Sequence, residues 1–222
     1  MENKHQIVLL GATGAVGSEV VKNLILQPMT SRLSLLSRRE VAYTDHRIEN
    51  HVVDVFSPSF YAHLLSGFDV AICTMGVGQP SKVTPEEFIR VDKTAVLDFA
   101  SACKAAGVAH FVLLSSVSSD VSSASLYLRT KAELEAGLKA LNFERLSVFK
   151  PSMILTPKNR YGISQAITLK IWPLISPLFW GGMRKFRGIK VEDLGKAIAL
   201  NVFKEKQGVE AMHWDEFQQF LK

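Results

Sequence analysis

The chain has 222 residues, 47% hydrophobic and 21% charged, which suits one compact domain with a single good core and requires no second domain. The formal net charge of +5 does not point to nucleic acid, because the cations are spread along the chain. The densest group, Arg184, Lys185, Arg187 and Lys190, comes with no reader motif and reads as a solvated basic face.

Two cysteines, Cys73 and Cys103, lie far apart without metal-ligand spacing; they read as core residues in a reducing compartment, with neither a disulfide nor a metal site expected. The opening Met1-Glu2-Asn3-Lys4-His5 runs at once into apolar sequence, so no signal or transit segment is expected and the cytoplasm is the default.

The amino-terminal stretch organises the rest. Ile7-Val8-Leu9-Leu10 reads as a strand buried on both faces, followed by the glycine turn Gly11-x-x-Gly14-x-x-Gly17 and a helix with Val20, Val21, Leu24 and Ile25 on its apolar face. The first glycine permits a sharp turn, the second lets backbone N–H groups approach a pyrophosphate, and the third lets the helix pack against the strand. The helix start offers free N–H donors and a positive dipole end. Strand, turn and helix in this order predict dinucleotide binding through Gly11, Thr13, Gly14, Ala15, Val16 and Gly17.

A second strand, Leu33 to Leu36, ends in Ser37-Arg38-Arg39. An acid at this position would bind the ribose 2′-OH of NAD, whereas arginine accommodates a 2′-phosphate, so Arg38 and Arg39 favour NADP(H). Ile48 to Val55 reads as a third strand whose end, Asp54 and Val55, meets the adenine edge. Asp69 to Thr74 is a fourth strand. Thr74, Met75 and Gly76 then open a loop, rich in Gly, Pro and Ser through Lys82, where the nicotinamide ribose should pass. A helix follows, with Thr84 as N-cap, Pro85 at its first position and Glu87 as capping-box partner; its pattern continues through Phe88, Val91, Val96 and Phe99 to Ala106, where Gly107 stops it.

His110 to Leu114 is a fifth strand, followed by Ser115-Ser116-Val117-Ser118-Ser119 and a second serine-rich loop. A long helix fits Ala124 to Leu141, and Phe143 to Phe149 is a sixth strand, broken by Pro151. This alternation is the pattern of an α/β fold with a doubly wound parallel sheet. From Tyr161 to Gly182 the chain turns apolar, but Pro173, Pro177 and Lys170 make it a poor membrane span. A lid, a homodimer surface and plain core all fit this composition, and residues 151–190 are expected to form a small substrate or lid subregion of the one domain. Helices from Val191 to Phe203 and from Trp214 to Leu221 close the chain.

Tyr127 and Lys131 fall one turn apart on the same face of the helix after the fifth strand. A free tyrosine titrates near about 10, and an adjacent ammonium favours its phenolate, which suits proton transfer to or from a carbonyl while a cofactor moves hydride. Ser116 or Ser115 would hydrogen-bond the same substrate oxygen.

The glycine turn, the Ser115-Ser116 pair, Tyr127-x-x-x-Lys131, the Lys150-Pro151-Ser152 turn and Gly188-Ile189-x-Val191-x-Asp193-Leu194 together resemble the extended or atypical branch of the short-chain dehydrogenase/reductase superfamily. Within it, Leu-Leu-Ser-Ser, Tyr-Leu-x-x-Lys and Ser-Val-Phe-Lys-Pro look like the small Tat-interacting oxidoreductase-like proteins, which bind NADPH. The resemblance covers nearly the full length. It implies a Rossmann fold, with Ser116 as catalytic serine, Tyr127 as acid/base and Lys131 holding the nicotinamide ribose, and it adds Pro151 and Ser152 to the cofactor site. One departure stands out: many relatives carry an asparagine on the helix after strand four, where this chain has Val91-Asp92. Only about 70 residues follow Pro151, so a large nucleotide-sugar pocket is disfavoured. The expected activity is an NADP(H)-dependent oxidoreductase acting on a small carbonyl or alcohol; the alternative is a non-catalytic NADPH-binding redox sensor.

Overall fold

Strand β1 (His5–Leu10) lies within a seven-stranded sheet, and its residues account for that position. Ile7, Val8, Leu9 and Leu10 are all buried. Ile7 and Leu9 enter one core cluster while Val8 and Leu10 enter the other, as the two-residue period of a strand covered on both faces requires. The structure is a computed structural model in which residues 4–157, 172 and 176–222 are described.

The remaining strands are β2 (Thr30–Ser37), β3 (Ile48–Val52), β4 (Val70–Cys73), β5 (His110–Leu114), β6 (Arg145–Phe149), β7 (Ile154–Leu155), β8 (Ile189–Lys190) and β9 (Gly208–Met212). The main sheet runs β3-β2-β1-β4-β5-β6-β9 with every neighbouring pair parallel, and β7 pairs with β8 apart from it. The order reverses between β1 and β4, which opens a crevice at the carboxyl ends of those strands.

Among the described residues the helices are α1 (Ala15–Ile25), α2 (Pro85–Ile89), α3 (Ala95–Ala105), α4 (Leu126–Ala140), α5 (Val191–Asn201) and α6 (Trp214–Gln219). Residues of α1, α5 and α6 pack against the face bearing Ile7 and Leu9, and residues of α3 and α4 against the opposite face. Helices α1 and α5 touch backbone to backbone: a Cβ on Gly195 would lie 2.4 Å from Glu19 Cβ and 3.0 Å from Val20 N.

Three features depart from the sequence reading. The third strand ends at Val52 instead of Val55, because Asp54 starts a turn, accepting from Phe56 N at 3.0 Å and Ser57 Oγ at 2.8 Å. The helix expected from Pro85 to Ala106 contains a π-helical turn at Arg90–Thr94. That wider turn carries Asp92 inward, where it is 1% exposed. Strand β9 is unmarked in the sequence pattern, with most of its residues exposed. It has a single fully buried residue, Met212, and is fastened by the Arg145–Glu210 ion pair (2.8 Å) and a Ser147–Glu210 hydrogen bond (2.6 Å). Much of the apolar stretch from Tyr161 to Gly182, and of the expected lid, lies outside the described residues.

Candidate cofactor and active site

Gly11 follows β1 with a φ of +103°, and a Cβ there would come within 2.7 Å of Met75 N. A Cβ on Gly17 would lie 2.1 Å from Gly11 O. Both positions therefore demand glycine, and they bring α1 directly against the end of β1. Thr74 Oγ1 donates to Gly11 O at 3.2 Å and ties the end of β4 to the same corner. Gly14 is the N-cap of α1 and no side chain caps the helix, so its first-turn N–H groups and dipole face the cleft. Ala15 and Val16 belong to that turn and offer backbone donors, since the Val16 side chain is buried in the core.

Over this corner lies a cleft of about 340 Å³, bounded by Thr13 and Gly14, by Arg38 at the end of β2, by Val55 and Phe56, and by Thr74 to Gly78. A glycine cradle that a Cβ would fill, uncapped N–H donors and an exposed cation at the β2 end together fit a dinucleotide. A larger hollow of about 630 Å³ opens at the amino ends of the strands, around His5, Asp69 and Arg145. Ligands of open parallel sheets bind at the carboxyl ends, and Arg145 is already committed to Glu210, so the smaller cleft is the candidate cofactor site.

The sequence-derived cofactor residues divide. Arg38 is exposed and borders the cleft; Arg39 is exposed but is not among the cleft's bounding residues, and its carbonyl accepts from Ser37 Oγ. Asp54 does not border the cleft, because its carboxylate serves its own turn, where the Phe56 N–H and then the Ser57 hydroxyl hold it below the usual carboxylate range. Val55 does border it. So does Phe56, which the sequence reading passed over, and the Arg90 guanidinium sits 4.1 Å over its ring. An aromatic side chain just past the third strand was the available signal.

On α4, Tyr127 and Lys131 share a face, and Lys131 is 4% exposed. The Lys131 ammonium is 6.0 Å from the centre of the Tyr127 ring, which packs on Phe88 with centroids 5.8 Å apart. Lys131 Nζ lies 2.8 Å from Asp92 Oδ1, and Asp92 Oδ2 accepts from Val77 N at 2.7 Å. Burial works against the Lys131 charge, but the Asp92 carboxylate outweighs it and raises the ammonium above its ordinary value. Asp92 thus joins the loop that floors the cleft to the Tyr127–Lys131 pair. In the sequence it was visible only as a missing asparagine.

The two serines after β5 have different surroundings. Ser115 Oγ donates to Glu135 Oε1 at 2.5 Å, whereas Ser116 Oγ donates only a long 3.4 Å hydrogen bond to Val117 O. Pro151 is buried, and its carbonyl accepts from Val117 N at 3.0 Å; Ser152 is half-buried beside it. Cys73, at the end of β4, is fully buried, and burial pushes its thiol up to about 12, so it is no nucleophile.

Residues 11–146, more than half of the chain, match a family model described as NAD(P)H-binding. Protein HTATIP2 of Rattus norvegicus is 39% identical over 158 residues, covering 70% of this chain and 64% of that protein, so the chain spans less than two thirds of that relative's length. The mitochondrial protein fmp52 of Emericella nidulans is 29% identical over 167 residues, 72% of each chain. MoeE5, solved with UDP-glucuronic acid and NAD, has a TM-score of 0.73 at 18% identity, covering 93% of this chain and 75% of that one. The UDP-N-acetylglucosamine 4-epimerase of Methanobrevibacter ruminantium has a TM-score of 0.70 at 15% identity, covering 95% and 77%. These structural likenesses establish the shared fold. The match over residues 11–146 makes the chain a member of the NAD(P)H-binding family, and it is similar to HTATIP2.

Proposed function

We propose that the protein is an NADP(H)-dependent oxidoreductase that interconverts a small carbonyl and its alcohol. The observation that carries this reading is the Lys131 ammonium, 6.0 Å from the Tyr127 ring and 2.8 Å from Asp92, whose other oxygen takes the Val77 N–H at the cofactor cleft. Bound NADPH supplies the hydride that the carbonyl carbon receives. Tyr127 gives its phenolic proton to the carbonyl oxygen as charge develops there. The Lys131 ammonium stabilises the charge left on the phenol oxygen and holds the ribose, and Ser116 donates to the same substrate oxygen.

Gly11, Thr13, Gly14, Ala15, Val16 and Gly17 hold the pyrophosphate through backbone N–H groups, and Arg38, with Arg39 beside it, meets the 2′-phosphate. Val55 and Phe56 bound the adenine end, while Thr74, Met75, Gly76, Pro151 and Ser152 line the nicotinamide end. The free, buried cysteines support work in a reducing compartment, for which the cytoplasm is our proposal. Among the described residues no helix is long and apolar enough to cross a membrane.

Leu178 and Trp180 stand 72% and 77% exposed, which supports self-association through this segment. The same surface supports a second reading, a non-catalytic NADPH sensor that docks a partner there. Tyr127→Phe separates the two. Wild-type protein should oxidise NADPH with members of a panel of aldehydes, ketones and quinones, and the variant should lose about a hundredfold or more in turnover while keeping its NADPH affinity. A wild-type protein that binds NADPH, reduces none of the panel and changes partners with NADPH is the sensor.

A further inference from the structure

Tyr127, Lys131 and Glu135 recur every four residues along α4 and so lie on one face of the helix. Glu135 is 8% exposed, and its carboxylate is fully engaged: Oε1 accepts from Ser115 Oγ at 2.5 Å and Ser119 Oγ at 2.8 Å, and Oε2 pairs with Lys150 Nζ at 3.0 Å. These partners come from the two loops that the proposed reaction needs, residues 115–119 after β5 and residues 150–152 after β6.

We propose that Glu135 is a positioning residue that selects Ser116 as the substrate-facing hydroxyl and holds both loops at the nicotinamide end of the cleft. The selection follows from hydrogen count. Each serine has one hydroxyl hydrogen. Ser115 gives it to the Glu135 carboxylate at 2.5 Å and has none to offer a substrate oxygen, while Ser116 gives it only to Val117 O across a long 3.4 Å, a bond that a substrate oxygen can displace. The holding role follows from backbone strain. Between the two serines that Glu135 grips, Ser118 adopts a φ of +59°, a conformation that a non-glycine residue keeps only where its neighbours impose it. Lys150 completes the clamp, since its ammonium crosses to Glu135 just ahead of Pro151, whose carbonyl takes the Val117 N–H.

The inference rests on the reductase reading, and its test separates the two. Turnover is measured with NADPH and phenanthrenequinone as probe, and amide hydrogen exchange is followed in the NADP-bound protein, for wild type, Glu135→Ala, Glu135→Gln, Ser115→Ala and Ser116→Ala. Glu135→Ala is expected to lower kcat by about tenfold to a hundredfold with the KM for NADPH within about twofold, because displaced loops misplace the donor and leave the glycine corner alone. Glu135→Gln, which still accepts from the serines but cannot balance the Lys150 charge, should recover part of that loss. Ser116→Ala should cost more in kcat than Ser115→Ala.

Exchange in segments 115–119 and 150–152 should quicken by about tenfold or more in Glu135→Ala with α1 unchanged. Unaltered kcat together with unaltered exchange overturns the proposal, and so does a loss spread evenly over α1 and the whole sheet. If wild type reduces no carbonyl, the reductase reading falls. The exchange pattern alone then decides, with quickening confined to the two loops upholding the positioning role and unchanged loops sinking it.

Discussion

Lys131 Nζ and Asp92 Oδ1 are 2.8 Å apart, with the two side chains 6% and 2% exposed. A buried ammonium is costly to hold charged, so this carboxylate keeps Lys131 a cation in the protein interior. The π-helical turn at Arg90–Thr94 aims Asp92 inward, and the same side chain caps the Val77 N–H beside the cleft. One residue thus links the shape of the cofactor loop to the charge beside the proposed proton donor.

Asp92→Ala should strand the Lys131 charge and cost about 3–5 kcal/mol in urea unfolding near neutral pH. Asp92→Asn keeps acceptors for both Val77 and Lys131 and should cost clearly less. The pH dependence has a definite sign. With Asp92 present the folded Lys131 lies above its ordinary 10.5, so the stabilisation is complete below 10.5 and fades as pH rises through the folded value. The gap between wild type and Asp92→Ala should therefore narrow in strong alkali. A gap independent of pH would show that the pair is not what Asp92 supports.

Gly195 tests the seating of the phosphate corner. An added Cβ meets Glu19 Cβ at 2.4 Å and backbone atoms of Glu19 and Val20 at 2.9 and 3.0 Å, and backbone cannot swing aside as a side chain tip can. Gly195→Ala should destabilise by about 1–3 kcal/mol and push α1 away from the sheet. Since α1 opens at Gly14, NADPH affinity should fall as well. Calorimetric melting and cofactor titration check both, and an unchanged dissociation constant in a destabilised variant would detach the helix crossing from the cofactor site.

The legible parts of this chain were those set by local pattern. The apolar runs of β1, β4 and β5 and the spacing of the glycines announce a parallel sheet with a phosphate corner. Strand β9 left no such trace, because an edge strand exposes most of its residues and is fastened here by charge, through Glu210 to Arg145. The inward turn of Asp92 was hidden because a π turn shifts the helical period by one residue, and no apolar pattern records that. Ser115 and Ser116 could not be told apart because the difference lies in Glu135, which is brought to Ser115 by tertiary folding. The Asp54 carboxylate could not be seen to serve its own turn, since a terminal strand residue and a turn-opening aspartate look alike in sequence.

Arg38 and Arg39 are adjacent and both exposed, yet only Arg38 borders the cleft. Arg38→Ala should weaken NADPH binding by about tenfold to a hundredfold, the worth of one charge-assisted hydrogen bond to phosphate, and leave NADH affinity nearly unchanged. Arg39→Ala should have the smaller effect. Side-by-side titration of both cofactors against wild type and the two variants decides. A wild-type preference for NADH would remove the case for NADP(H), and equal losses in the two variants would show that the pair acts as a diffuse positive field.

The fastening of β9 should make the fold acid-labile, beginning at a histidine. Ser147 Oγ gives its one hydrogen to Glu210 at 2.6 Å, so His110 Nε2, 2.9 Å from the same oxygen, must be the N–H donor of a neutral ring. Burial, reinforced by the Arg145 guanidinium, lowers His110 to about 3. Burial opposes the charge on Glu210, but hydrogen bonds from Ser147, Arg145, Lys206 and Asn201 prevail and bring it to about 2. Both folded values lie below their ordinary ones of 6.5 and 4.5, so the unfolded chain binds more protons and stability is lost as pH falls.

His110 acts first, in the window below about 6.5, and Glu210 joins below about 4.5. Between about pH 7 and about pH 5 the histidine alone should remove on the order of 2 kcal/mol, and His110→Gln, which keeps an N–H donor and does not titrate, should lose correspondingly less. Urea unfolding of both proteins at the two pH values measures the difference. Parallel pH slopes for the two would mean that His110 takes up its proton as readily folded as unfolded, and the neutral donor assigned to this network would be wrong.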